Sequence, residues 1–168
     1  RTLRLASSHD FERQMAVFVP TDLPEPCQPG AAGHAAYIDG LARLLFDVHL
    51  AMGGSVLTLF TNRRDMDALF SRLAEPLERE GLRLLVQSRG VSRKRVADEF
   101  IGDERVSLFA TKSFWEGFDA KGDTLRCVTS VDERGVDREA VGRTFAVSRF
   151  PVAELAVHSR EAMVVASL

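Results

Sequence analysis

Three short apolar runs, each emptying into a polar cluster, constrain this chain more than any other feature. Ser55 to Phe60 (SVLTLF), Leu82 to Gln87 and Val106 to Ala110 run into Thr61-Asn62-Arg63, Gln87-Ser88-Arg89 and Thr111-Lys112-Ser113 respectively. The first run lacks the alternation of a half-solvated strand; near-continuous apolar runs of this length belong to parallel sheets covered on both faces. Between the runs lie helical stripes. Met66, Leu69, Phe70, Leu73 and Leu77 share one face of a helix that opens near Arg64-Asp65 and that Pro76 is expected to bend or end. Ser92 is placed to cap a second helix reaching to about Phe100, with Val96 and Phe100 on one side.

The flanks extend the same alternation. Gln14 to Val19 is expected to form an entry strand, and Pro20, Pro24, Pro26 and Pro29 then enforce an extended connector. Ile38, Leu41, Leu44, Leu45, Val48 and Met52 form one apolar helix face, closed by Gly53-Gly54. Leu125 to Thr129 reads as a further strand, and Ala162 to Ala166 can supply a last one. The fold class expected is α/β, a three-layer, mainly parallel sheet flanked by helices. Three segments are distinguished: an entry strand and Pro-rich connector over 1–34, the main α/β domain over 35–128, and a divergent tail over 129–168 that completes the same domain.

At 168 residues, 45% hydrophobic and 27% charged, the chain has the size and composition of one soluble domain. It does not begin with Met and reads as a piece of something longer. No apolar run approaches the ~20 residues needed to span a bilayer, so no membrane partner is expected. Cys27 and Cys127 are far apart and lack metal-type spacing, which points to incidental thiols in a reducing cytoplasm and to no metal held by this chain. His49 has no neighbour at metal spacing and reads as a surface or packing residue. With a net charge of −2 the chain has no global attraction for nucleic acid, so polyanion binding would need a local patch. Arg63-Arg64 and the stretch from Arg89 to Arg95 are candidates, although such charges are commonly solvated faces.

In a parallel sheet all strand carboxyl ends lie on one edge, where open α/β sheets place ligands. Three independent strands would there deliver hydroxyl, amide and cationic groups able to hold phosphate oxygens. The third run continues as Thr111-Lys112-Ser113-Phe114-Trp115-Glu116-Gly117-Phe118-Asp119, with the chain's single Trp beside two carboxylates. Phe114 and Trp115 offer flat faces for a base, each stack worth ~1–3 kcal/mol, with core packing the alternative for Phe114. Glu116 and Asp119 cannot contact phosphate as anions; they suit an Arg or Lys, a ribose hydroxyl or metal-bound water. Neither a G-x-x-x-x-G-K-[ST] loop nor a Ser-His-Asp, H-E-x-x-H or EF-hand pattern occurs, so the chain is unconvincing as a self-contained enzyme.

Leu59 to Met66 (LFTNRRDM), Leu85-Val86-Gln87 and Ala110 to Asp119 (ATKSFWEGFD) resemble, in order and spacing, motif IV, the following strand and motif V of the DinG/XPD-like superfamily-two DNA helicases. Ser7 to Gln14 is similar to the segment that enters the second motor domain of DinG-type proteins, so the resemblance covers about residues 1–128. It implies the carboxyl-terminal, RecA-like motor domain of an ATP-dependent DNA helicase. It further implies that Thr61, Asn62, Arg63, Ser113, Phe114 and Trp115 face single-stranded DNA, and Gln87 and Thr111, at the ends of the same strands, are placed with them as DNA-binding candidates. Glu116, Gly117 and Asp119 would link the nucleotide and DNA sites. ATP and Mg would be held through the first motor domain, the amino-terminal motor domain of the same parent chain.

The tail departs from the family pattern. Thr129-Ser130 leads into a densely charged Val131 to Arg138 in place of a Leu-Pro-Phe segment. Glu139 to Arg143 only faintly resembles a motif VI of the form Q-x-x-G-R-x-x-R, with Ala146 where the second Arg belongs; Arg143 is the one catalytic candidate it offers. Two readings therefore stand beside the helicase domain: a non-catalytic nucleic-acid-binding module and a truncated helicase remnant. In each, this chain alone is expected to be inactive.

Overall fold

The computed structural model describes residues 16–20, 22–24, 29–88, 90–111, 114, 122–131, 147–150 and 163–167. The described elements are β1 (Ala16–Pro20), α1 (His34–Met52), β2 (Val56–Phe60), α2 (Arg63–Arg79), β3 (Arg83–Val86), α3 (Arg93–Ile101), β4 (Val106–Thr111), a 3-10 turn (Gly122–Thr124), β5 (Cys127–Val131), β6 (Val147–Phe150) and β7 (Met163–Ser167). The strands form one seven-stranded sheet in the order β3-β4-β2-β5-β7-β1-β6. Every pairing is parallel; Leu57 sits opposite Leu108 and Val128, for example. This is the α/β, three-layer arrangement expected from the alternation of apolar runs and helical stripes.

The strand period of two divides the core. Phe60, Phe109 and Val131 face α1 and α2, packing with Tyr37, Ile38, Leu41 and Leu45 and with Met66, Leu69, Leu73 and Leu77. Leu57, Leu59, Val106, Leu108 and Ala110 face the other way, onto Val96 and Phe100 of α3. A smaller cluster joins Phe18 of β1 to Leu44, Val48 and Met52 of α1 and to Val56 and Cys127. All six residues of the stripe read along α1 are buried. No helix among the described residues is long and apolar enough to cross a membrane.

Where the elements begin and end is set by local chemistry. α1 stops at Gly53, whose φ of 66° is left-handed and whose N–H returns to the last carbonyls of the helix. Gly54 follows at φ 105°, pressed against the backbone of Glu104 and Arg105, and Ser55 keeps a positive φ of 56°. Ser55 is tied down by its hydroxyl, which donates to the Glu104 carbonyl at 2.9 Å, and by its own carbonyl, which accepts from Arg126 N–H at 3.0 Å. Asn62 begins α2, its Oδ1 accepting from Arg64 N–H at 2.8 Å.

Of the two outcomes open at Pro76, a bend or an end, the end does not occur: the helix runs through it to Arg79. Pro76 lacks one intrahelical N–H and crowds the carbonyl four residues earlier, but Leu73 and Leu77 on either side remain buried in the core and hold the last turn in place. Ser92 stands at the N-cap of α3 without a side-chain cap bond. β6 lies in the tail, where no strand was read, and pairs with β1; β7 sits between β1 and β5, where the closing apolar run had offered a strand.

Candidate functional site

Because all the strands are parallel, the carboxyl ends of β2, β3 and β4 share an edge with the amino termini of α1, α2 and α3. The edge is cross-linked by side chains. Gln87, just past β3, uses its side-chain carbonyl to accept from the Thr111 N–H and from the Thr111 hydroxyl, each at 3.0 Å. Its backbone carbonyl accepts from Arg63 Nη2 at 2.8 Å, and its N–H donates to the Phe109 carbonyl at 2.8 Å. Gln87 thus joins the start of α2 to the end of β4. On the other side of β2, Thr61 donates from its N–H to the Val131 carbonyl at 3.3 Å, extending the pairing with β5.

Among the described residues of this edge, cations gather at the helix amino termini. The first turn of α2 carries Arg63 and Arg64 with Asp65, and that of α3 carries Arg93, Lys94 and Arg95 with no acid. Cations oppose the helix dipole at an amino terminus, so neither cluster is accounted for by helix stability. Arg63 spends one N–H on Gln87; its other N–H groups and the exposed Arg64 suit an anionic oxygen. His34, the first residue of α1, donates from Nε2 to Asp65 Oδ1 at 3.0 Å, fastening the start of α1 to the first turn of α2. Asp65 is buried.

The sequence-derived site residues divide into three groups. Thr61, Asn62, Arg63, Gln87 and Thr111 are brought to the one edge, with Asn62 serving as a cap and Gln87 as a bridge. Phe114 is corrected as a stacking face: its ring is fully buried among Leu57, Leu59, Val96 and Phe100, and the Arg93 guanidinium lies 5.1 Å from its centroid. An aromatic that closes an apolar seam in this way has no face left for a base. Ser113, Trp115, Glu116, Gly117, Asp119 and Arg143 lie outside the described residues, as do the entry segment Ser7 to Gln14 and the Glu139 to Arg143 stretch.

Three residues of consequence, Arg93, His34 and Asp65, were not singled out from the sequence. Arg93 belonged to a basic stretch that gave no hint of its aromatic partner, and the His34–Asp65 pair joins helices whose stripes said nothing of their termini. His49 lies away from the polar edge and is wholly buried, with Nδ1 donating to the Leu45 carbonyl at 2.5 Å and the ring edge-on to Phe109. Burial lowers its pKa to about 4. Burial likewise pushes the Cys127 thiol well up, so it is an inert packing group; Cys27 is outside the described residues. No group of three or more His, Cys, Asp or Glu side chains suited to a metal ion occurs among the described residues.

Comparison with known proteins agrees with the motif reading. The helicase C-terminal domain family matches residues 45–132, the span from the middle of α1 to the end of β5. The ATP-dependent DNA helicase YoaA of Escherichia coli is 34% identical over 128 residues, covering 76% of this chain and 18% of that protein. The ATP-dependent helicase DinG of Mycobacterium tuberculosis is 31% identical over 129 residues, with the same shares. The 3'-5' exonuclease DinG of Bacillus subtilis is 26% identical over 132 residues, 78% of this chain and 14% of its own length. The chain therefore spans less than a fifth of each of these relatives.

Proposed function

We propose, from the premise that this chain belongs to the helicase C-terminal domain family, that it is the second motor domain of an ATP-dependent DNA helicase. In this reading the polar edge binds single-stranded DNA and provides one half of an ATP site shared with the amino-terminal motor domain of the same parent chain. The observation that carries the proposal is the convergence of three strand ends on Gln87, with Arg63 on one side and Thr111 on the other.

The division of labour follows from the chemistry of the groups. Arg63 and Arg64 offer guanidinium donors to backbone phosphates, while Asn62 and Thr61 hold the turn that presents them. Gln87 and Thr111 act on each other, fixing where the chain leaves β4. Trp115, the single Trp, is the stacking candidate that remains. Glu116, Gly117 and Asp119 would face the nucleotide, and Arg143 would be the catalytic arginine if the tail carries motif VI. ATP, when bound between two such domains, supplies the free energy for movement along the strand. Magnesium is assigned, with the phosphate-binding loop, to the amino-terminal motor domain, as the resemblance to the family implies. A cytoplasmic location, drawn from the sparse cysteines, belongs to the same proposal.

A second reading, a binding module without catalysis, is favoured by one specific observation: Glu139 and Ala146 stand where motif VI would carry Gln and its second Arg. Hydrolysis separates the two. ATP turnover is measured for the isolated chain and for the longer parent protein, each with and without single-stranded oligonucleotide. The helicase reading expects none from the isolated chain and DNA-stimulated turnover from the parent. A parent that binds DNA yet never hydrolyses ATP contradicts it and leaves the binding module.

A further inference from the structure

Arg93 has an unusual place for a cation. It is the first residue of α3, in a turn with two further cations and no acid, where the helix dipole disfavours positive charge. Its side chain reaches toward the chain that has just left β4. Nη2 donates to the Phe114 carbonyl at 2.8 Å, and the guanidinium lies over the Phe114 ring at 5.1 Å from its centroid. One residue thus grips Phe114 by both backbone and ring. The ring is itself locked between β2, β4 and α3.

Three residues earlier, Thr111 is held by Gln87 through two hydrogen bonds. The chain leaving β4 is therefore fastened twice: at Thr111 from the end of β3, and at Phe114 from the start of α3. We propose that Arg93 is a positioning residue, which fixes Phe114 and so the point from which the Trp115 to Asp119 segment departs, rather than a phosphate ligand of the basic patch. The proposal deepens the DNA-binding reading of this edge, and rests on that reading only where DNA enters the test.

Trp115 directly follows Phe114 and is the single Trp, so its emission reports on this point without a label. Wild type, Arg93→Lys and Arg93→Ala are compared by acrylamide quenching of Trp115 without DNA, with far-UV circular dichroism to verify the fold. Lysine keeps the charge but loses the planar, forked group, so both variants are expected to raise the quenching constant roughly twofold. The salt slope of oligonucleotide binding is expected to match wild type in both. Unchanged quenching in the folded variants overturns the proposal; so does a salt slope reduced by about 0.7, the signature of one lost phosphate contact on a single strand. If Arg93→Ala does not fold, Arg93→Lys decides alone. If wild type binds no oligonucleotide, the DNA-binding reading fails while the quenching comparison still decides the role of Arg93.

Discussion

Gln87 Oε1 accepts two hydrogen bonds from Thr111, one from the backbone N–H and one from the hydroxyl, each at 3.0 Å. This acceptor can be kept while the charge is changed. Gln87→Glu retains an oxygen for both donors and should change stability little, but it sets an anion beside Arg63 and the proposed DNA path. Oligonucleotide affinity should fall about tenfold at low salt. Gln87→Ala should instead cost about 1–2 kcal/mol of stability, since the two hydrogen bonds from Thr111 to the amide are removed in a half-buried site. Urea unfolding and anisotropy titration read the two effects separately.

Gly54→Ala should destabilise the chain by about 3 kcal/mol or more, because both the conformation and the space are wrong. Its φ is +105°, and a Cβ there would meet the Glu104 carbonyl oxygen at 2.3 Å. Gly53 next to it also has a positive φ but nothing within 4 Å of an added Cβ, so Gly53→Ala should cost only about 1 kcal/mol. Equal losses for the two variants in denaturant unfolding would contradict this account of the turn.

Much of the fold was legible in the sequence because burial leaves a pattern: a three- and four-residue stripe on a helix, a continuous apolar run in a strand covered on both faces. The stripes of α1 and α2 and the apolar runs of β2, β3 and β4 appear where those patterns set them. Pro76 does not end α2 because a local preference is outweighed by Leu73 and Leu77, buried on either side of it. β6 escaped because its neighbour in the sheet is β1, more than a hundred residues earlier. At the polar edge, the residue types were legible and their partners were not. Nothing in the order of residues links Gln87 to Thr111 or Arg93 to Phe114, since those bonds exist only once the strands are in register. Phe114 shows the limit most directly: an aromatic before a Trp left stacking and core packing both open, and only the seam behind it decides for packing.

Thr58 and Thr129 face each other in register across β2 and β5, and the Thr129 hydroxyl donates to Thr58 Oγ1 at 2.6 Å in the buried core. Thr129→Val removes the donor and should cost about 1–2 kcal/mol, leaving Thr58 with an unpaired hydroxyl. Adding Thr58→Val should restore part of that loss, so the double variant is less destabilised than the sum of the singles. Additive losses in a urea-unfolding cycle would mean that the two hydroxyls do not act as a pair.

His49 gives the fold a pH dependence whose sign is fixed by its burial. The imidazole titrates at about 4 when folded, against 6.5 for an unperturbed histidine. Above 6.5 it is neutral in both states and has no effect. As the pH falls from 6.5 toward 4, the unfolded chain takes up a proton that the folded one does not, and stability is lost at up to about 1.4 kcal/mol per pH unit. Below about 4 the contribution levels off. The difference in unfolding free energy between wild type and His49→Leu, followed from pH 8 to 4, should show this slope; a flat difference would place the imidazole in contact with water.

In the proposed function, the shared edge of β2, β3 and β4 binds single-stranded DNA through its cations. Anisotropy of a labelled single-stranded oligonucleotide, titrated with the chain between about 50 and 200 mM salt, tests it directly. Saturable binding is expected, with log K falling linearly against log salt, and Arg63→Ala should make the slope shallower by about 0.7. No saturable binding at the lowest salt, or the same slope with and without Arg63, would contradict the assignment of this edge to DNA.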